Sequence, residues 1–176
     1  MNATFGERIS AIAPTGPKLS TMKPEEVIAA VQKMKGDAVR GEGLFIKLNC
    51  NKCHTVKPDE PIRGPYLPNV AKTYKREQLT ESIMLPSKTI AQGFVTNLFV
   101  MNDGKQVSGF VINEAADVVT IRNTEGNELK LRVEDIEERA KQTISMMPEG
   151  LAKDSTLEDL ASLVTYLESL ASRATK

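Results

Sequence analysis

The spacing of apolar and polar residues predicts a mainly helical chain that is interrupted by a group of strands. Apolar residues recur at intervals of three and four in four segments, which is typical of amphipathic helices. These segments cover about residues 24–34, 38–48, 76–85 and 156–170. Residues 94–133 instead carry four short runs of strand-like composition, separated by turn sequences. The pattern therefore predicts an α+β protein with a small antiparallel sheet of four strands.

Residues with strong positional preferences mark the ends of these helices. Pro24 suits the first position of a helix, and Asp37 can cap the start of the next one. Pro86 is expected to end the third helix. Thr156 and Asp159 form a capping-box pattern at the start of the last helix. The predicted elements thus begin and end where the local chemistry favours a boundary.

The same pattern predicts how the chain is organised. Residues 1–35, with glycine and proline near their start, are predicted to form an N-terminal leader or linker with one short helix. Residues 36–176 are predicted to form the main domain, and residues 94–133 are its inserted β-sheet region. Residues 55–73 are rich in proline, glycine and lysine and are predicted to form an ordered loop.

Composition and charge argue against several classes of function. Hydrophobic residues make up 40% of the 176 residues, which is enough for a packed core. Lysine plus arginine and aspartate plus glutamate both number 23, so the chain lacks the basic excess that a general nucleic-acid binder needs. No apolar run approaches the length of a membrane span, and the first residues show no signal-peptide pattern.

The candidate chemistry lies in one short motif, Cys50-Asn51-Lys52-Cys53-His54. The chain has two cysteines and one histidine, and this motif contains all three. The C-x-x-C-H spacing is typical of covalent haem attachment. On one turn at a helix end, the two sulfurs can reach two vinyl groups on one edge of the porphyrin, and the adjacent imidazole can bind the iron. The motif therefore predicts one c-type haem, linked through Cys50 and Cys53 and bound by His54.

Three other interpretations of the two cysteines are open, and each fits the sequence less well. A redox C-x-x-C motif is expected to follow a strand and precede a helix, whereas here a predicted helix precedes it and a proline-rich loop follows. A zinc site usually has a second cysteine or histidine pair, which this chain lacks. The remaining alternative is that the two cysteines have no chemical role.

Because His54 is the only histidine, a second imidazole cannot be the sixth ligand of the iron, and methionine is the natural candidate. Among seven methionines, Met147 is favoured because it lies in a predicted loop and Pro148 biases its backbone towards an extended form. Met146 is its rival. The predicted metal ligands are therefore His54 and Met147.

These features resemble class I cytochrome c, and more narrowly the haem-binding domain family of planctomycete-type bacteria. That domain is often C-terminal to large dehydrogenase-like proteins. The resemblance covers residues 36–170, and its motifs are GEGLF, CNKCH, RGPYLPNV, ESIMLPSKTIAQGF, SMMPEGL and LEDLASLVTYLESL. It implies a mainly α cytochrome c fold with the β-sheet inserted. It also suggests a stand-alone relative or a domain cut from a larger protein.

The resemblance also implies roles for particular residues. In class I cytochrome c the first and last helices cross, and Gly41, Phe45, Tyr166 and Leu167 match the positions at the crossing. The carbonyl of a loop proline accepts the ring N–H of the haem-binding histidine. Pro65 matches that proline, and such a partner orients a metal-binding imidazole.

Two kinds of function remain open. A haem with both axial positions filled by histidine and methionine favours single-electron transfer, and no group of residues suggests catalysis. The alternative is a haem-based sensor or haem enzyme with a displaceable sixth ligand. In the first case, the expected partners are redox proteins, with a dehydrogenase as donor and a cytochrome or an oxidase as acceptor. The resemblance implies a periplasmic or otherwise extracytoplasmic location.

Overall fold

The computed structural model describes residues 16–60, 63–123 and 125–175. Residues 1–15 of the predicted leader lie outside them. In the described residues, five α-helices and a five-stranded antiparallel sheet make the chain an α+β protein, as predicted. The helices are α1 (Pro24–Gln32), α2 (Ala38–Lys47), α3 (Leu67–Thr73), α4 (Arg76–Met84) and α5 (Leu157–Ser169). The strands are β1 (Thr96–Met101), β2 (Gln106–Glu114), β3 (Val118–Arg122), β4 (Glu128–Arg132) and β5 (Ile136–Lys141).

The helix starts follow the predicted caps. Pro24 occupies the first turn of α1, and the Asp37 carboxylate accepts the backbone N–H groups of Val39 and Arg40 at the start of α2. At the start of α5, Thr156 and Asp159 form a reciprocal capping box. Helix α3 was not predicted, because its seven residues lie within the proline-rich segment 55–73 and are too few to show a helical period.

Helices α2 and α5 cross in close contact at Gly41. A Cβ on Gly41 would overlap the backbone carbonyl of Ser162 and lie 2.6 Å from Cβ of Tyr166. Next to this point the rings of Phe45 and Tyr166 pack with their centroids 5.6 Å apart. The helix crossing that the resemblance implies is therefore present in the structure. It places the buried face of α2 against α5, and the cysteine motif follows the end of α2.

The N-terminal part of the described chain belongs to the helical core. Leu19, Val27 and Val31 are buried in the same apolar cluster as Leu163 and Val164 of α5. The backbone N–H of Leu19 also donates to the carbonyl of Ser155, at 2.9 Å. Residues on both sides of position 35 thus contribute to one apolar cluster. Amphipathic spacing in so short a segment does not reveal what it packs against.

The sheet has the strand order β4-β3-β2-β1-β5 and a core of its own. Phe99, Val119, Ile121 and Leu131 are buried on one of its faces and form a second apolar cluster. The sheet extends beyond the predicted range of residues 94–133, because β5 adds a fifth strand beside β1. The β5 sequence IEERAK carries mainly charged and small residues, as an exposed edge strand permits, so it lacks the apolar alternation that identifies a strand.

Candidate functional site

A single turn at the end of α2 brings both thiols and the histidine together. Helix α2 ends before Asn49, which adopts the left-handed conformation with a φ of 61°. Asparagine tolerates this conformation well and often follows the end of a helix. A short 3₁₀ turn, Cys50–Lys52, comes next, and the backbone N–H of His54 donates to the carbonyl of Cys50 at 2.9 Å. Both thiols are free of a disulfide, so the motif presents three donor groups from one turn.

The His54 ring is oriented by the loop that contains Pro65. Its Nδ1 atom lies 3.1 Å from the carbonyl oxygen of Pro65. With the proton on Nδ1, the ring donates this hydrogen bond and leaves Nε2 as the atom that can bind a metal. Gly64 permits the approach, because a Cβ at this position would lie 3.1 Å from the carbonyl oxygen of Cys53. Gly64 therefore provides the space for the loop to approach, and Pro65 provides the carbonyl that orients the His54 ring.

Burial shifts the pKa values of Cys50 and His54 further towards their neutral forms. Burial raises the pKa of the Cys50 thiol to about 11, and the nearby Cys53 adds to this increase. Burial also lowers the pKa of His54, while the hydrogen bond to Pro65 opposes this decrease. A neutral imidazole is the form that binds a metal. The local environment of His54 therefore suits a ligand.

The two candidate methionines have different neighbours. Met147 is partly buried and packs against the apolar cluster of the helical core, which also contacts Cys50. Met146 is not among the described side chains that pack against that cluster or against the sheet cluster. The backbone N–H of Met147 donates to Oγ of Ser145 at 3.1 Å. Cys50 and Met147 therefore both pack against the cluster of the helical core.

The partly buried side chains of the helical core suit contact with a large apolar cofactor. Several apolar side chains that pack against the helical core are only partly buried, among them Leu48, Val56, Val70, Ala71, Tyr74 and Met84. The hydroxyl of Thr55, directly after His54, is buried and has no hydrogen-bond partner. Two thiols, an oriented imidazole and a thioether are a donor set for covalently attached haem. The residues present therefore fit this group.

Exposed lysines lie within the motif and on both sides of it in the sequence. Lys47, Lys52 and Lys57 are exposed on the segment that carries the motif.

Within residues 16–60, 63–123 and 125–175, no group of three or more histidine, cysteine, aspartate and glutamate residues could hold a metal ion. In the same part of the chain, no helix has the length and apolar character needed to cross a membrane.

Two serines that support the Met147 loop were missed by the sequence analysis. The backbone N–H of Ser145 donates to Oγ of Ser87 at 3.2 Å. Ser87 follows helix α4, whereas Ser145 follows strand β5, and the whole sheet lies between them in the sequence. Nothing in the spacing of residues indicates such a contact, because it depends on how the sheet returns the chain to the helical core.

Comparison with known proteins adds one independent finding. The model of the family described as Cytochrome c matches residues 38–121, slightly less than half of the chain. The match begins at the first residue of α2, includes the cysteine motif and Pro65, and ends in β3. No curated protein matches the chain. The family match supports a c-type cytochrome, with covalently bound haem, iron and electron transport as the associated chemistry.

Proposed function

We propose that this chain is a monohaem c-type cytochrome that carries single electrons between redox proteins. Cys50 and Cys53 would hold the haem through thioether bonds, and His54 and Met147 would be the axial ligands of its iron. One observation carries the proposal: both cysteines and the only histidine lie on one turn, and the Pro65 carbonyl orients the imidazole. The family match over this segment supports it independently.

The protein residues have separate tasks in this proposal. When bound, haem supplies an iron that takes up and releases one electron. Pro65 keeps the proton of His54 on Nδ1, so Nε2 stays available as a ligand. Met147 provides a soft thioether, which favours the reduced iron and raises the reduction potential. The partly buried apolar side chains of the helical core would exclude water from the haem, which also favours the less charged reduced state.

The finer family assignment and the domain organisation are part of the proposal. The crossing of α2 and α5, with Gly41 at the contact, supports a class I cytochrome c fold into which the sheet is inserted. The motifs over residues 36–170 favour the planctomycete-type haem-binding domain family, in which the domain often follows a dehydrogenase-like protein. We therefore propose a main domain that begins N-terminal to residue 36, because Leu19 and α1 contribute to its core.

The partners and the location follow from the chemistry. An electron carrier needs a donor, for which we propose a dehydrogenase, and an acceptor such as another cytochrome or an oxidase. The exposed Lys47, Lys52 and Lys57 would attract an acidic partner to the haem attachment turn. Covalent haem attachment of this type implies a periplasmic or otherwise extracytoplasmic location.

Covalent attachment is the first testable consequence. When the protein is matured with haem and then treated with acidified acetone, we expect the haem to stay with the polypeptide, because two thioether bonds hold it. Haem staining after denaturing electrophoresis measures the retained fraction. Cys50→Ala and Cys53→Ala variants should each retain one bond, and a double variant should retain none. Complete extraction from the unmodified protein would contradict the proposed attachment.

Electron transfer and ligand sensing predict different reactions of the reduced protein. If both axial positions are filled, we expect rapid electron transfer to a small soluble redox protein and slow or absent binding of carbon monoxide at neutral pH. Stopped-flow absorbance measures both rates on the same sample. Immediate uptake of carbon monoxide would instead favour the haem-based sensor or haem enzyme, whose sixth ligand is displaceable.

A further inference from the structure

We propose that Ser87 and Ser145 are positioning residues for Met147, and that through them the base of the inserted sheet fixes the loop that carries this ligand. This inference rests on the proposed function, since it takes Met147 as the sixth ligand of the iron. It gives the sheet a specific role in the electron carrier. The evidence is a continuous path of hydrogen bonds from the helical core to Met147.

Two serine hydroxyls link the Met147 loop to the end of helix α4. The backbone N–H of Met147 donates to Oγ of Ser145 at 3.1 Å, and the backbone N–H of Ser145 donates to Oγ of Ser87 at 3.2 Å. The first bond is local and occurs in many turns. The second joins residues that are 58 positions apart in the chain, so it fixes the loop relative to a distant segment.

Ser87 lies in a turn that is itself held in place. The backbone N–H of Leu85 donates to the carbonyl of Glu81 at 2.7 Å, and the N–H of Lys88 donates to the carbonyl of Leu85 at 3.0 Å. Pro86 is buried, and the ammonium group of Lys88 forms an ion pair with Glu81 of α4. The Ser87 hydroxyl is therefore a fixed acceptor at the end of α4.

The sheet brings Ser145 to this acceptor. The start of β1 and the segment after β5 are also joined at the sheet itself, where the backbone N–H of Gln142 donates to the carbonyl of Thr96 at 2.8 Å. Hydrogen bonds to Thr96 and to Ser87 thus hold the segment after β5 at two points. Met147 follows the second of these points, Ser145, by two residues. Because both connections meet at the base of the sheet, the loop position depends on the folded sheet as well as on the helical core.

Loss of either hydroxyl should allow Met147 to leave the iron more often. We expect Ser87→Ala and Ser145→Ala each to increase the apparent affinity of the oxidised, haem-loaded protein for imidazole about fivefold, as the loss of one neutral hydrogen bond implies. Spectrophotometric titration measures this affinity. Ser87→Thr keeps the hydroxyl and should behave like the unmodified protein. In each alanine variant, the sulfur-to-iron charge-transfer absorption should remain, at reduced intensity.

Ser82→Ala provides a matched control, because the Ser82 hydroxyl donates to the carbonyl of Gln78 in its own helix, at 2.8 Å. Its imidazole affinity should be unchanged. Amide hydrogen exchange gives a second measurement: the Ser145 N–H should exchange faster in Ser87→Ala, and the Met147 N–H faster in Ser145→Ala. These exchange rates report the loop itself and do not depend on electron transfer.

The outcomes separate this inference from the proposed function. If the unmodified protein lacks the charge-transfer absorption, Met147 is not the ligand, and both the ligand assignment and this inference fail. If the absorption is present but both alanine variants bind imidazole with the same affinity as the unmodified protein, only the positioning role fails. An equal increase in the Ser82→Ala variant would also overturn the positioning role, because the effect would then be general to α4.

Discussion

Replacing Met147 with alanine is expected to abolish the sulfur-to-iron charge-transfer absorption of the oxidised protein and to lower its reduction potential by on the order of 0.2 V. Both changes follow from the loss of the thioether, which stabilises the reduced iron. The reduced variant should also bind carbon monoxide, because one axial position would be open. Visible spectroscopy and a potentiometric titration on the haem-loaded protein measure these effects.

Met146→Ala is the matched control for this variant. Met146 lies next to Met147 in the same loop but does not pack against either apolar cluster of the described residues. Its absorption spectrum and reduction potential should therefore stay close to those of the unmodified protein. The opposite pattern would show that Met146 is the ligand. No change in either variant would argue against methionine ligation and favour the sensor or enzyme.

The second large effect concerns stability. We expect Gly41→Ala to lower the free energy of unfolding by about 3 kcal/mol, because the added Cβ has no space between α2 and α5. The neighbouring atoms belong to the Ser162 backbone and to Cβ of Tyr166, so no flexible side chain can move aside. Alanine would favour the helix by only about 1 kcal/mol, which is too little to offset the clash.

Urea unfolding of the haem-loaded protein, followed by circular dichroism, measures this change. Val39→Ala serves as the control in the same helix, because the Val39 side chain is 61% exposed. Its free energy of unfolding should change by no more than about 0.5 kcal/mol. A Gly41→Ala variant as stable as the control would contradict the close helix crossing.

The sequence was sufficient for the elements with a strong local signal. The 3.6-residue period, together with Pro24, Asp37 and the capping box at Thr156, predicts α1, α2 and α5 within a few residues of their observed ends. The spacing of Cys50, Cys53 and His54 predicts that one turn presents all three side chains, and the structure shows this turn. These features depend on neighbours in the sequence, so the chain reveals them without tertiary information.

The features that the sequence did not predict depend on distant parts of the chain. Strand β5 forms because β1 offers an unpaired edge, and its own residues carry no clear strand pattern. Leu19 is buried because the segment before α5 covers it, although its position suggests a leader. The bond between Ser145 and Ser87 requires the sheet to return the chain to α4. In each case the decisive partner is a segment far away in the sequence.

The separate core of the sheet has a consequence for the order of folding. Residues 85–156 separate α4 from α5, and α5 must return across this distance to complete the helical core. Strands β1 to β4 are consecutive hairpins with contacts that are short in sequence, whereas β5 returns to pair with β1 and closes the sheet. Once Thr96 and Gln142 are paired, residues 97–141 no longer lengthen the connection. The entropic cost of closing the remaining chain then falls by about 1 kcal/mol, so a preformed sheet should speed the docking of α5.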